Sequence, residues 1–183
     1  MPDTVFEVFE ATARAHADRP AMRHKRGGDW ETTTWAGYRD QVRRAARGLA
    51  ALGAGPGKGV VIMGFSRPEW YVANAAAMAT GALPAGVYTT NTPDQCHYIA
   101  EHAEAVVAVV ENPDYLERFL AVRDRLPLLK AIVVMEGDAA GEGVLSWEGL
   151  LEGGGSVDET EIEARMAAAG PDDVCTLIYT SGT

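Results

Sequence analysis

The 183 residues carry 26 acidic against 16 basic side chains, a formal net charge of −10, and 47% of them are apolar. That is enough apolar chain for one sizeable core, and it excludes disorder as a global description. The acidic balance argues against a nucleic-acid partner, whose phosphates need a basic face, but it leaves room for a nucleotide held by a local ring of backbone N–H groups.

Thr4 and Glu7 have the spacing of a capping box opening an amphipathic helix, with Val5, Val8, Phe9 and Ala13 on one face. Ala21–Arg26 and Trp30–Thr34 are short segments joined through Gly27-Gly28-Asp29, the pattern of a β-hairpin. A helix is predicted from Trp35 to Leu52, with Tyr38, Val42, Ala45, Leu49 and Leu52 at helical spacing and Gly53 as its stop.

From there strands and helices alternate. Val60–Phe65 is a short apolar run, and Ser66-Arg67-Pro68-Glu69 offers a cap, an early proline and a capping-box Glu for the next helix. Leu83–Tyr88 is a second strand, followed by the same start signal in Thr92-Pro93-Asp94-Gln95. Ala105–Val110 is a third, followed by Asn112-Pro113, and Ala131–Met135 is a fourth. Continuous apolar runs of this kind are what strands buried on both faces look like. Three strand–proline-capped-helix units in succession predict an α/β fold: a helix and hairpin, then a mainly parallel sheet with flanking helices.

Gly137–Gly155 is rich in Gly and Glu and is expected to be a long internal loop, with a short turn of helix at Ser146–Leu151. Asp158–Ala169 is predicted as a surface helix capped by Asp158 and Glu161, and Val174–Tyr179 as one more apolar strand. The charge-free stretch Trp70–Pro93 is interrupted by Gly81, Pro84 and Gly86, so a buried helix and strand fit it better than a membrane span.

The last predicted strand runs into Thr180-Ser181-Gly182-Thr183. Open α/β sheets bind ligands where parallel strands emerge. Glycine lets a backbone approach a phosphate closely, and hydroxyls and N–H groups donate to its oxygens. A plain turn after a strand uses the same letters, so these four residues alone leave both readings open.

Asp173-Val174-Cys175-Thr176-Leu177-Ile178-Tyr179-Thr180-Ser181-Gly182-Thr183 resembles the start of the signature loop of the AMP-forming acyl-adenylating superfamily. That superfamily includes acyl-CoA synthetases, luciferases and peptide-synthetase adenylation domains. The family loop continues with Thr-Gly-x-Pro-Lys-Gly, which these 183 residues do not contain. Gly59–Tyr88, with Ser66-Arg67-Pro68-Glu69-Trp70 and Thr80-Gly81-Ala82, resembles the family's first βαβ unit. Gly86–Pro93, Cys96-His97-Tyr98-Ile99 and Leu126–Ala131 are most similar to the long-chain fatty-acid–CoA ligase branch, including its bubblegum-type members.

The resemblance implies a two-step ligase. A carboxylate and ATP give an acyl-adenylate and pyrophosphate, and the CoA thiol then displaces AMP. It implies ATP, Mg²⁺ and CoA as co-substrates and cofactor, and a fatty acid as substrate. It places Thr180, Ser181, Gly182 and Thr183 on the ATP phosphates. Residues 1–183 then correspond to the N-terminal portion of the AMP-binding domain, with the loop lysine, the metal-binding acid and the C-terminal domain beyond them, so no complete catalytic set is expected in this chain and the isolated chain is expected to be inactive. Two alternatives stand beside this: another acyl-adenylating enzyme, such as an aryl-CoA ligase or an adenylation domain, and a non-catalytic nucleotide-binding or interaction module.

Other motifs have plainer readings. Gly53–Gly59 links a helix to a strand, the reverse of a P-loop, and lacks Ser or Thr after Lys58. Ser66 sits where a nucleophile elbow would, but the second glycine is missing. His97, Glu101 and His102 lack a further ligand at a persuasive spacing, so no metal site is predicted. Cys96 and Cys175 are predicted as small buried apolar residues, and Trp70 and Tyr71 as core anchors. With no disulfide framework and no basic n-region before an apolar run, a cytoplasmic setting is expected, with peripheral membrane association compatible with a lipid substrate.

Overall fold

The computed structural model describes residues 4–180. Helix α1 (Val5–Ala15) is opened by the Thr4–Glu7 capping box. A hairpin of β1 (Pro20–Arg26) and β2 (Asp29–Thr34) follows, turning at Gly27 and Gly28. Both glycines have positive φ, 59° and 99°, as a two-residue turn matched to strand twist requires. Helix α2 (Trp35–Ala51) starts on the Thr34 hydroxyl, which accepts from the Gly37 N–H, and ends at Gly53 with φ 92°.

Five strands form one parallel sheet: β3 (Gly59–Met63), β4 (Leu83–Val87), β5 (Ala105–Val110), β6 (Ala131–Val134) and β7 (Val144–Ser146), in the order β4-β3-β5-β6-β7. The helices between them are α3 (Pro68–Ala79), α4 (Pro93–His102) and α5 (Pro113–Leu120); α6 (Trp147–Glu152) and α7 (Glu159–Ala168) follow β7. The predicted α/β class and the mainly parallel sheet are therefore present.

Strands β3, β5 and β6 are buried on both faces, which is why their sequences are continuous apolar runs rather than alternating ones. Val60, Ile62, Val107, Val109 and Val133 face one core, with Val42, Leu49, Val72, Trp147, Leu150 and Ile162 from the helices. Val61, Met63, Ala108, Val110, Ile132 and Val134 face the other, with Ile99, Leu116 and Phe119. The alternation is the strand period of two, read on opposite sides of one sheet.

Helix α2 approaches α6 closely. A Cβ at Gly48 would collide with the Leu150 carbonyl, a backbone atom that cannot swing aside. Gly48→Ala is therefore expected to lower stability by about 2 kcal/mol, because overpacking outweighs the gain in helix propensity. A urea midpoint unchanged from wild type would show that the two helices can separate at no cost.

Several sequence expectations are corrected. On α1 the buried face is Phe6 and Ala13 with Phe9 packed beside them, while Val5 and Val8 are exposed. The helix docks through Phe9 onto Trp35 and Tyr38 and through Glu10 onto Arg39 and Arg43, which sets its rotation. Ser66 does not cap α3: with Pro68 as the first helical residue the N-cap is Arg67, whose guanidinium has no acceptor for a cap bond, and Glu69 is drawn into ion pairs instead of a capping box. The Gly137–Gly155 stretch contains the sheet's edge strand β7 and α6, whose Ser146 cap accepts from the Gly149 N–H. Its glycines at 137, 141 and 143 turn the chain with positive φ, which gave the segment a loop's composition.

The predicted strand Val174–Tyr179 makes a single parallel bridge, Leu177 beside Ala85. Leu177 N–H donates to the Pro84 carbonyl at 3.0 Å, and the Thr176 hydroxyl donates to the same oxygen at 3.1 Å. Pro84 has no N–H to offer back, so this edge of β4 supports a weaker ladder. Val174 and Ile178 consequently stay exposed, Ile178 at 80%. Such an edge invites association. Ile178→Lys is expected to cut light scattering by the 183-residue chain several-fold; equal scattering from both proteins would place the sticky surface elsewhere.

Candidate functional site at the carboxyl edge of the sheet

The strand order, in which the chain begins inside the sheet, moves out by one strand and then doubles back, puts the topological switch between β3 and β5. Ligands of such sheets bind in the crevice outside the strand ends at this point. Here that crevice is closed by side chains. Glu111, just after β5, accepts from the Phe65 N–H, just after β3, at 2.6 Å. Arg67 pairs with Glu69 at 2.8 Å and with Glu136, just after β6, at 2.7 Å, and lies 3.7 Å from Glu111. Arg26 of the hairpin closes the network on Glu69 at 2.8 Å.

Glu69 is 7% exposed. Burial alone would raise its carboxyl, but hydrogen bonds from Arg67 and Arg26 outweigh it and hold the group below the ordinary carboxylate range. Arg67 is likewise held in its charged form: burial opposes the charge, and the bonds to Glu69 and Glu136 more than offset it. The network is a fixed plug rather than a vacancy for ligand.

The open space lies one strand over. A groove of about 580 Å³ runs between the loop after β3, the start of α3, the loop after β4 and residues 176–179. Phe65, Trp70, Tyr71 and Tyr88 supply much of its apolar wall, and Asn74 and Thr89 add polar groups. Trp70 packs on the core as predicted, whereas Tyr71 is 43% exposed toward the groove and departs from that expectation. The Tyr88–Thr92 loop is pinned by Arg118, which donates to the carbonyls of Thr89 and Asn91 at 2.7 Å each and lies over the Tyr115 ring.

Thr180 follows Tyr179, which lines this groove, and is exposed. Of the four residues predicted to meet ATP phosphates, Thr180 is the one the structure places; Ser181, Gly182 and Thr183 lie outside the described residues. The Thr180 hydroxyl and N–H are the kind of donors a phosphate takes. Gly53–Gly59 links α2 to β3 as a helix stop and turn. His97 Nδ1 lies 3.3 Å from Arg125 and His102 Nδ1 lies 2.8 Å from Tyr179, so these two imidazoles have separate protein partners. Cys96 is buried, and burial pushes its thiol up to about 11. Cys175 is exposed, against expectation, because its segment is not a full strand. Trp70–Pro93 is α3 and β4, and no helix among the described residues is long and apolar enough to cross a membrane.

The Arg67 network and the His102–Tyr179 contact were not read from the sequence. The first had a visible signal, since a Glu directly follows both Val110 and, one residue on, the β6 run at Met135.

An open parallel sheet with a hydroxyl-bearing segment at its carboxyl edge is the layout of an α/β ligand-binding domain. The chain belongs to the AMP-binding enzyme family, whose model matches residues 9–183. It is 35% identical over 184 residues to the long-chain-fatty-acid–CoA ligase ACSBG2 of Xenopus laevis, matching all of this chain and 25% of that protein. The chain thus spans about a quarter of the length of the curated relatives it matches. Among solved structures, a long-chain-fatty-acid–CoA ligase (FadD1) from Archaeoglobus fulgidus superposes with a TM-score of 0.77 at 16% identity, over all of this chain and 35% of that one. The anthranilate CoA ligase AuaEII, in complex with anthranoyl-AMP, superposes with a TM-score of 0.71 at 23% identity, over 79% of this chain and 27% of that one. At these identities the two structures speak to the fold.

Proposed function

We propose that this chain is the N-terminal portion of an ATP-dependent long-chain fatty-acid–CoA ligase of the bubblegum type. The observation that carries the reading is the 35% identity to the Xenopus ligase along all of the chain, through the segment that brings Thr180 to the sheet edge. The reaction joins a fatty-acid carboxylate to the α-phosphorus of ATP with loss of pyrophosphate, and the CoA thiol then displaces AMP. Charge accumulates on the phosphates in the first step, so preorganised donors at the loop are where this chain contributes. Thr180 would donate its hydroxyl and N–H to a phosphate oxygen, and Ser181, Gly182 and Thr183 would extend that cradle. The Arg67 plug keeps the switch-point crevice shut, and Arg118 holds the neighbouring loop in place, so the phosphates meet a fixed edge.

Among the described residues no group of three His, Cys, Asp or Glu side chains is placed to hold Mg²⁺, so none of these steps is assigned to the metal. Alone, the 183-residue chain is expected not to turn over, because the loop's second half and its lysine are not within it. We further read the protein as cytoplasmic, in keeping with the two cysteines in separate segments and no disulfide framework, and as meeting its substrate peripherally because that substrate is a lipid.

The test is to extend the coding sequence downstream and measure acid-dependent pyrophosphate–ATP exchange. Exchange with palmitate, but not with benzoate or amino acids, is the expected result. Preference for benzoate or an amino acid would move the protein to an aryl-CoA ligase or an adenylation domain. A downstream sequence without Thr-Gly-x-Pro-Lys-Gly would favour a non-catalytic module.

A further inference from the structure

Helix α4 packs on the second core, and its last turn faces the segment that leads to Thr180. His102 Nδ1 lies 2.8 Å from the Tyr179 phenolic oxygen. Tyr98, one turn earlier, stacks on His102 with ring centroids 6.0 Å apart and meets Tyr179 edge-on at 6.5 Å. The His102 and Tyr179 rings are 5.6 Å apart and nearly perpendicular. Burial, and to a lesser degree Tyr98, push the Tyr179 phenol above its ordinary value, so it stays protonated at neutral pH and can donate to an unprotonated Nδ1.

This cluster lies at the surface, since Tyr98 is 60% exposed, so it adds little to the core. What it holds is the chain's exit from the sheet. The bonds from Thr176 and Leu177 to Pro84 secure the segment two and more residues before Tyr179. Beyond Leu177, the Tyr179 side chain is the last tether before Thr180 among the described residues. A loop that must place donors to within a fraction of an ångström needs its root fixed by packing and hydrogen bonds from a rigid element, and α4 is that element.

We propose that His102, backed by Tyr98, is a positioning residue for ATP: by holding the Tyr179 phenol it fixes where the chain leaves the sheet edge, and so where Thr180 meets the phosphates. The proposal rests on the ligase reading above and adds to it a residue outside the signature loop.

In the full-length protein, His102→Phe and Tyr179→Phe are each expected to raise the KM for ATP about 10-fold, the scale of one lost hydrogen bond. The KM values for palmitate and CoA, and the melting temperature, should stay near wild type. The two groups act as one contact, so the double variant should be no worse than either single one. His102→Asn, which can place an acceptor near the position of Nδ1, should restore most of the ATP affinity. Calorimetric binding of a non-hydrolysable ATP analogue should give the same ranking without turnover. In the 183-residue chain labelled with [13Cζ]tyrosine, two of the six tyrosine signals should shift in His102→Phe, that of Tyr179, which loses its hydrogen bond, and that of Tyr98, which stacks on the replaced ring, while the other four stay in place.

Wild-type protein that makes palmitoyl-AMP while His102→Phe keeps its ATP constants overturns the positioning role alone. So does an equal rise in all three KM values, or a loss that His102→Asn does not restore, since either marks a contact that merely supports the fold. A wild-type protein that makes no acyl-adenylate overturns the ligase reading and this role with it.

Discussion

Replacing Thr180 with Val in the full-length protein is expected to lower acyl-adenylate formation about 10²-fold, the usual scale for losing one preorganised donor to developing oxyanion charge. Val keeps the branched shape at Cβ and removes only the hydroxyl, so the segment's path along β4 should persist. Thr180 is exposed and its side chain touches no core, so the melting temperature should not move. The loss should fall on the adenylation half-reaction: pyrophosphate exchange drops, while thioesterification of supplied palmitoyl-AMP by CoA is spared. Full pyrophosphate exchange by Thr180→Val would mean that the hydroxyl is a turn residue and the phosphates sit elsewhere, the reading the four letters Thr-Ser-Gly-Thr left open on their own. Ser in place of Thr should retain most of the activity, because it keeps the donor.

The sheet was legible because β3, β5 and β6 are continuous apolar runs, and because β3, β4 and β5 each lead into a proline-marked helix start. At Thr92 and Asn112 the cap side chains make the bonds their letters advertise. At Ser66 the same letters misled, since tertiary charge won over local chemistry: Glu69 is worth more to Arg67 and Arg26 than to a capping box. Strand β7 was hidden for a different reason. It has three residues, pairs on one side only, and is flanked by glycines that serve its turns. The segment 174–179 has strand composition but lacks a partner edge able to form a full ladder, because Pro84 interrupts it; composition speaks for propensity and not for which edge is available. For the site, residue type located the carboxyl edge, and the family resemblance turned a four-residue turn into a phosphate contact. The long-range pairs of the plug at the switch point and of the His102 tether join residues 43 to 77 positions apart, such as Arg26 with Glu69 and His102 with Tyr179, and no local pattern could pair them.

Glu69→Gln is expected to cost about 2–3 kcal/mol at neutral pH, somewhat less than the usual loss on breaking a buried ion pair. The discount has a structural reason. Arg67 keeps Glu136 at 2.7 Å and Arg26 keeps Glu31 at 3.3 Å, so neither guanidinium is left wholly unpaired. What goes is the buried carboxylate that ties the β1–β2 hairpin, through Arg26, to the start of α3, and the favourable placement of a negative charge in that helix's first turn. The pH dependence has a definite sign. Because the folded protein holds the Glu69 carboxyl below its unfolded range of about 4.3, the folded state binds fewer protons there. The group's contribution is therefore complete above that range and is lost as pH falls through its lower folded value. Wild-type stability should fall between about pH 5 and pH 3 more steeply than that of Glu69→Gln, which has no proton to take up at this site. Urea midpoints at pH 7, 5, 4 and 3 measure both effects at once. Parallel pH profiles for the two proteins would mean that Glu69 titrates normally and that the plug at the β3–β5 switch is held by Arg67 and Glu136 without it. The hairpin supplies a local readout, since hydrogen exchange of the β1–β2 amides should speed up in Glu69→Gln before the central strands β3 and β5 lose protection.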